Sequence, residues 1–364
     1  MTTTAPDGIP VGPSWQVQTS GHARFNWNYD EGRSRLLSLY QKGKDKQWDS
    51  VKRIDWDIEV DPYDVLGRDE RTIGIYGSPM WDKLGRHERQ ELKQHISAWQ
   101  FSQFLHGEQG AMMCAARIVE SVPDLDSKFY AATQTMDEAR HVEVFSRFVR
   151  EKVGVVYPIS PHLKTLLAET LGRSEWDIPY LGMQILIEGL ALAAFGLLRS
   201  LTTKPLPTQI LAYVMQDEAR HVAFGRMALK DFYSNLTSRE RAEREEFIAE
   251  GCFLMRDRLR GREVWENLGF DVAECTDYIN RSASWQHYQS GLFSRIVPAV
   301  KDIGLWGPKV QDAFAKLGVL DKADVDLTAL MAADEDIAEQ LDAERRDFAA
   351  RQAEVGAAIS APAS

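Results

Sequence analysis

Cysteine is scarce: only Cys114, Cys252 and Cys275 occur in 364 residues, far apart and with no Cys-x-x-Cys pair. They supply neither a disulfide framework nor a thiolate cage for zinc or an iron–sulfur cluster. Isolated reduced thiols are the plain reading, and a cytoplasmic location fits them. Basic charge is also short. Lys and Arg number 43 against 54 Asp and Glu, a net charge of −11, which argues against the clustered positive surface that nucleic acid requires. No uncharged apolar run approaches the ~18 residues of a membrane span. The nearest, 180–198, carries Glu188 in its middle. The opening Met-Thr-Thr-Thr-Ala-Pro-Asp-Gly has neither the basic nor the apolar region of a secretory signal. What remains is a globular composition, 44% hydrophobic and 27% charged, in a chain long enough for one large or two ordinary domains.

Three regions follow along the chain. Residues 1–80 read as a loose arm and then an irregular wrap held by Trp27, Tyr29, Tyr40, Trp48, Trp56 and Tyr63, with one short helix over 36–46. Acidic neighbours such as Asp55, Asp57 and Glu59 argue against a base-stacking surface there. Residues 81–235 read as all-α: helices over 86–121, 125–153, 179–201 and 208–233, with a short crossover helix over 161–171. Val122-Pro123, Gly154, Pro158 and Lys204-Pro205 supply the breaks. Two long hairpins joined by a crossover make a four-helix bundle. Residues 236–364 read as further helices over 237–259, 275–296 and 326–354, the first opened by the capping box Thr237-Ser-Arg-Glu240, with a loose tail. They buttress the bundle or form an oligomer contact.

Inside the bundle the pentapeptide Asp-Glu-Ala-Arg-His occurs twice, at 137–141 and 217–221. Thirty residues before each Glu stands another, Glu108 before Glu138 and Glu188 before Glu218. The hairpins repeat with an offset of 80 residues, and Ala111 maps on Ala191. Packing alone would repeat Leu and Ala, whereas these repeated residues are charged. Glu138 and His141, like Glu218 and His221, are three apart and share one helix face. One Glu per helix plus two His is the ligand count of a carboxylate-bridged two-metal centre. Four carboxylates balance two divalent ions with neutral imidazoles, whereas without metal they would crowd an apolar core at a cost of several kcal/mol. Oxygen and nitrogen donors of this kind suit iron or manganese. Asp137 and Asp217 are candidate acceptors of the His N–H groups, with Arg140 and Arg220 balancing them. Glu120, Glu143, His95 and His106 lack repeat partners and read as ordinary structural residues.

Through Glu108, Glu188 and the two pentapeptides, the segment 86–233 resembles the ferritin-like diiron-carboxylate superfamily. Within it the chain is most similar to the hydroxylase α-subunits of bacterial multicomponent monooxygenases and the ribonucleotide reductase small subunit. The resemblance implies that Glu108, Glu138 and His141 bind one iron and Glu188, Glu218 and His221 the other, some carboxylates bridging. Departures narrow it. Phe145 stands where the reductase commonly has a radical Tyr, and the tail ending at Ser364 lacks that protein's Tyr-bearing partner-binding end. Leu192 stands where the hydroxylases carry Thr. Val214 stands where arylamine N-oxygenases have a third His, which counts against that subgroup. No rubredoxin-type cysteine module is present.

The resulting expectation is an oxidoreductase that activates O2 at two iron ions, a manganese–iron pair staying open, to hydroxylate, epoxidise or N-oxygenate a small apolar or aromatic molecule. Phe104, Ala111, Leu192, Phe195 and Gly196 are the expected pocket lining. With no flavin fingerprint and no cluster cysteines, the electrons must come from a reductase or ferredoxin partner. The expected assembly is a homo-oligomer, such as a dimer, without nucleic acid or membrane. A manganese–iron ligand-binding or radical-generating oxidase and a non-enzymatic oxygen-scavenging iron protein are the alternatives.

Overall fold

The computed structural model describes residues 15–29 and 32–360, with side chains to 354, and contains helices and turns but no strand among them. Most of the expected loose arm, residues 1–14, and the last four residues of the expected tail lie outside that range. The N-terminal wrap contains α1 (Ser34–Asp45), α2 (Ser50–Arg53) and α3 (Pro79–Asp82) between irregular segments. The bundle follows: α4 (Arg86–Ser121), α5 (Leu125–Phe148), the crossover α6 (Pro161–Gly172), α7 (Glu188–Leu201) and α8 (Pro205–Tyr233).

Local chemistry sets these boundaries. The Gly85 N–H that opens α4 donates to Glu88 Oε2 at 2.7 Å. Val122 turns extended before Pro123, ending the helix. Asp124 then caps α5 by accepting from the Ser127 N–H at 2.9 Å. The helix expected over 125–153 is regular to Phe148 and widens into a π turn over Val149–Val153. Gly154, in the left-handed region at φ 76°, stops it. The helix expected from 208 begins three residues earlier, because proline is well placed in a first turn. The segment before α7, Tyr180–Ile187, is also a π turn, ending where Glu188 begins. Gly182 makes this packing possible, since a Cβ there would fall 2.2 Å from Thr170 Oγ1 of α6. The helical stretch Tyr180–Leu201 is long and apolar enough to cross a membrane, yet 83% of its most apolar window is buried inside the protein. It forms the centre of the bundle.

The remaining helices are α9 (Ser238–Arg258), α10 (Arg262–Asn267), α11 (Val272–Arg281), α12 (Ala283–Leu292), α13 (Ile296–Asp302), α14 (Pro308–Leu317) and α15 (Leu327–Ser360). The capping box on α9 forms as expected, with Thr237 Oγ1 accepting from the Glu240 N–H and Glu240 Oε2 accepting from the Thr237 N–H. The single helix expected over 275–296 is two. Ser282 is extended (ψ 125°) and its hydroxyl caps α12, competing with helix continuation. α15 lies along α8, where Asp342 accepts from the Tyr213 hydroxyl at 2.6 Å and from Arg53 at 2.7 Å.

A buried ionic knot ties the crossover to the bundle. Asp177, just before the π turn of α7, accepts two bonds from Arg244 of α9 (3.0 and 2.9 Å) and one from the Tyr233 hydroxyl at the end of α8 (2.9 Å). Both charged groups are buried. Removing one partner would strand the other, so Asp177→Ala is expected to cost about 3–5 kcal/mol in chemical denaturation, against little change for an exposed pair such as Arg239–Glu243.

Candidate metal centre

The two hairpins face each other with their acidic residues inward. Glu108, Glu138, His141, Glu188, Glu218 and His221 are all 5% exposed or less. They fall into two overlapping groups: Glu108, Glu138, His141 and Glu218, and Glu138, Glu188, Glu218 and His221. Within each group one donor atom per residue lies within 4.8 Å of the others. Glu138 and Glu218 belong to both. His141 Nδ1 is 3.1 Å from Glu218, 3.3 Å from Glu138 and 3.4 Å from Glu108. His221 Nδ1 is 3.0 Å from Glu138 and 3.6 Å from Glu218.

The aspartates of the pentapeptides brace the histidines crosswise. His141 Nε2 bonds Asp217 at 3.1 Å, and His221 Nε2 bonds Asp137 at 3.3 Å. Each Asp therefore serves the imidazole of the other hairpin. Arg140 donates to both Asp137 (2.5 Å) and Asp217 (2.9 Å), and Arg220 donates to Asp217. The wrap adds residues that motif reading missed. The Trp48 indole N–H donates to Asp217 at 2.8 Å, and the Gln47 amide donates to Asp137 at 2.7 Å. Gln134, one turn before Glu138, donates to Glu188 at 2.8 Å. Its signal was a lone amide four residues before a ligand candidate on the same face. Trp48 and Gln47 carried none. Glu120, Glu143, His95 and His106 lie outside both groups; Glu143 is exposed, and the histidines bond Tyr157.

Electrostatics in this cluster is strained without a cation. Burial and the charge of Glu218 push Glu108 well above the usual carboxylate range, and the same two causes raise Glu188. Burial also opposes charge on Glu138, but the imidazoles of His221 and His141 outweigh it and hold that carboxyl far below its usual range. Burial disfavours a charged His141, yet Asp217 and the surrounding glutamates raise it well above an ordinary imidazole. Both Nδ1 atoms, both Glu218 oxygens and one oxygen each of Glu138 and Glu188 are buried without a hydrogen-bond partner. Nitrogen lone pairs and carboxylate oxygens converging in this way fit two divalent cations, the group that would satisfy them together.

Beside the cluster lies a narrow gap of about 20 Å³ bordered by Glu108, Ala111, Ile187, Glu188, Ala191 and Glu218. Gln103, Phe104, Leu190 and Arg258 border both this gap and a larger, mainly apolar cavity of about 360 Å³. Of the expected pocket residues, Phe104 and Ala111 stand at these spaces. Leu192 and Phe195 do not; both are fully buried, Phe195 against Phe104 with ring centroids 4.7 Å apart. Gly196 faces Met215 instead. α7 lines the cavity with Leu190, Ala194, Leu197, Leu198, Ser200 and Leu201, whereas Leu192 and Phe195 are not among its wall residues.

The bundle and its six inward donors define a dinuclear carboxylate protein of the ferritin-like class. The chain belongs to the family described as P-aminobenzoate N-oxygenase AurF, whose model matches residues 30–304. That membership corrects the inference drawn from Val214. The position is a buried Val with no donor atom, yet the family match spans it. Among solved structures the chain is similar to R2-like ligand-binding oxidase variants. One with an aerobically reconstituted Fe/Fe cofactor gives a TM-score of 0.50 at 15% identity, covering 77% of this chain and 96% of that one. Another, with an anaerobically reconstituted Mn/Fe cofactor, gives 0.47 at 17%, covering 77% and 96%. No curated protein matches by sequence. Family and site together make the chain a diiron-type oxidoreductase.

The crosswise braces yield a prediction. Asp217→Asn keeps the shape but weakens the acceptor that orients His141, and it is expected to lower metal affinity about 10–100-fold in competition with a chromogenic chelator. Unchanged affinity would mean that the Asp217–His141 contact does not tune the site.

Proposed function

We propose that the chain is an O2-dependent N-oxygenase of a small aromatic or apolar amine, working through two iron ions. Glu108, Glu138, His141 and Glu218 would hold one ion, and Glu138, Glu188, Glu218 and His221 the other. The overlap of the two donor groups at Glu138 and Glu218 is the observation that carries this assignment. Bound iron would supply the oxygen-activating redox chemistry that side chains lack.

The chain's own residues do the rest. Asp217 and Asp137 accept the outer N–H of the two imidazoles, which fixes the tautomer with Nδ1 turned inward. Gln134 orients Glu188. Phe104, Ile187, Leu190 and Ala191 wall the gap with apolar surface and keep bulk water from the reacting side. In the overall reaction one oxygen atom joins the substrate nitrogen and the other leaves as water, with two electrons and two protons supplied from outside. All three cysteines are buried and isolated. An external reductase or ferredoxin is therefore the proposed electron source. The N-oxygenation assignment is supported by membership in the family named for an arylamine N-oxygenase.

Metal analysis by plasma mass spectrometry after anaerobic ferrous loading is expected to give about two irons per chain, with His141→Ala and His221→Ala each losing metal. Exposure to 18O2 with a reductant and an arylamine should then place labelled oxygen on nitrogen. One manganese with one iron would favour a ligand-binding oxidase, and no retained metal would overturn the assignment.

A further inference from the structure

Ten methionines occur in the chain, and a buried one ordinarily fills space as a flexible apolar side chain. Met215 does so against Gly196, and the Met255 sulfur accepts from Arg258 Nη1 at 3.8 Å. Met183 stands elsewhere. It is fully buried and forms part of the wall of the narrow gap, together with Glu108, Glu188 and Glu218. The Glu188 N–H donates to the Met183 carbonyl, the five-residue link of the π turn, which sets Met183 one wide turn below Glu188. Among the described residues no other sulfur borders the gap. Met183 does not border the outer cavity, where a substrate would lie.

The volume of the gap is about 20 Å³. A single water needs ~10–15 Å³, so the gap admits one molecule of about the size of water or dioxygen and no organic substrate. Side chains of its wall are therefore the first oxidisable groups that an oxygen atom released there would meet. The thioether is the softest of them. Its lone pair takes up an oxygen atom without breaking a bond, whereas Phe104, Ile187 and Leu190 offer only aromatic or aliphatic C–H bonds.

We propose that Met183 is an internal oxygen acceptor: when the outer cavity is empty, the centre oxidises its thioether to the sulfoxide. One S–O bond forms at Sδ, and the sulfur is oxidised by two electrons. One atom of O2 stays on the sulfur, and the other leaves as water with two electrons and two protons from the external donor. The product is polar where the thioether was apolar, and its added oxygen takes up space in a gap with room for little else. Oxidation without substrate thereby closes the gap and ends further oxygen use. This rests on the reading of the cluster as an oxygen-activating diiron centre, whatever its organic substrate.

Peptide mass mapping tests it. Protein loaded anaerobically with ferrous iron would be exposed to 18O2 with ascorbate as reductant, with catalase and without amine. The Met183 peptide is expected to gain one labelled oxygen atom. Met215, one turn before Glu218 but outside the wall, should stay unlabelled, and zinc-loaded protein should gain no label at either residue. Hydrogen peroxide added to metal-free protein should mark the exposed Met113 and Met136 and spare Met183. Oxygen uptake without amine should fade as label accumulates and persist in Met183→Leu, a near-isosteric change that removes the sulfur. The wild-type labelling stands by itself if that variant does not fold. An unlabelled Met183, equal labelling of Met183 and Met215, or label in the zinc-loaded protein overturns the proposal. Full labelling with unfading uptake overturns the closing role. N-oxygenation of an arylamine with Met183 unlabelled in the amine-free run would sink the internal acceptor alone, and a labelled Met183 with no N-oxygenated product would sink the reaction assignment alone.

Discussion

Mutual repulsion of four carboxylates in a buried core is the constraint around which this structure is arranged. Two more, Asp137 and Asp217, stand behind the imidazoles. Arg140 and Arg220 are buried beside them, although a guanidinium in a core is itself expensive. Six carboxylates, two guanidiniums and two divalent ions come out neutral with both imidazoles uncharged. The wrap contributes as well, because Trp48 and Gln47 give neutral hydrogen-bond donors to the same aspartates without altering that sum. Packing, capping and the ionic knot at Asp177 then hold four helices at the spacing that the charge balance needs.

Much of this was legible in the sequence because charge at buried helical spacing is rare and here appears twice. Glu188, inside an apolar stretch, could be explained only by a partner of opposite charge. The wrap was legible as aromatic but not as part of the site. Trp48 lies 169 residues from Asp217, and no local pattern links an indole N–H to a distant carboxylate. The break at Ser282 was hidden for another reason: apolar spacing continued across it while a side-chain hydroxyl stopped the helix. Val214 misled because a missing ligand was read as a missing family, whereas the family likeness is spread over residues 30–304.

Register on α7 explains why the ligand candidates were easier to place than the pocket. Glu188 is marked by its charge whatever the helix does around it. Which apolar neighbours face the cavity depends on how α7 sits against the helices packed on it, which no hydrophobic pattern in α7 itself announces. The stripe through Leu190, Ala194 and Leu197 faces the cavity, while Leu192 and Phe195 complete the core.

The crosswise bracing of the histidines makes neither hairpin a unit of function. Asp217 steadies His141 and Asp137 steadies His221 across the bundle's approximate twofold, so each half would carry an imidazole it cannot orient and an acceptor with nothing to hold. A polypeptide half as long, bearing one Asp-Glu-Ala-Arg-His, would complete such a site only by embracing its twin. Fused in one chain, the same exchange couples the two ends: damage to the aspartate at one end is felt by the imidazole at the other.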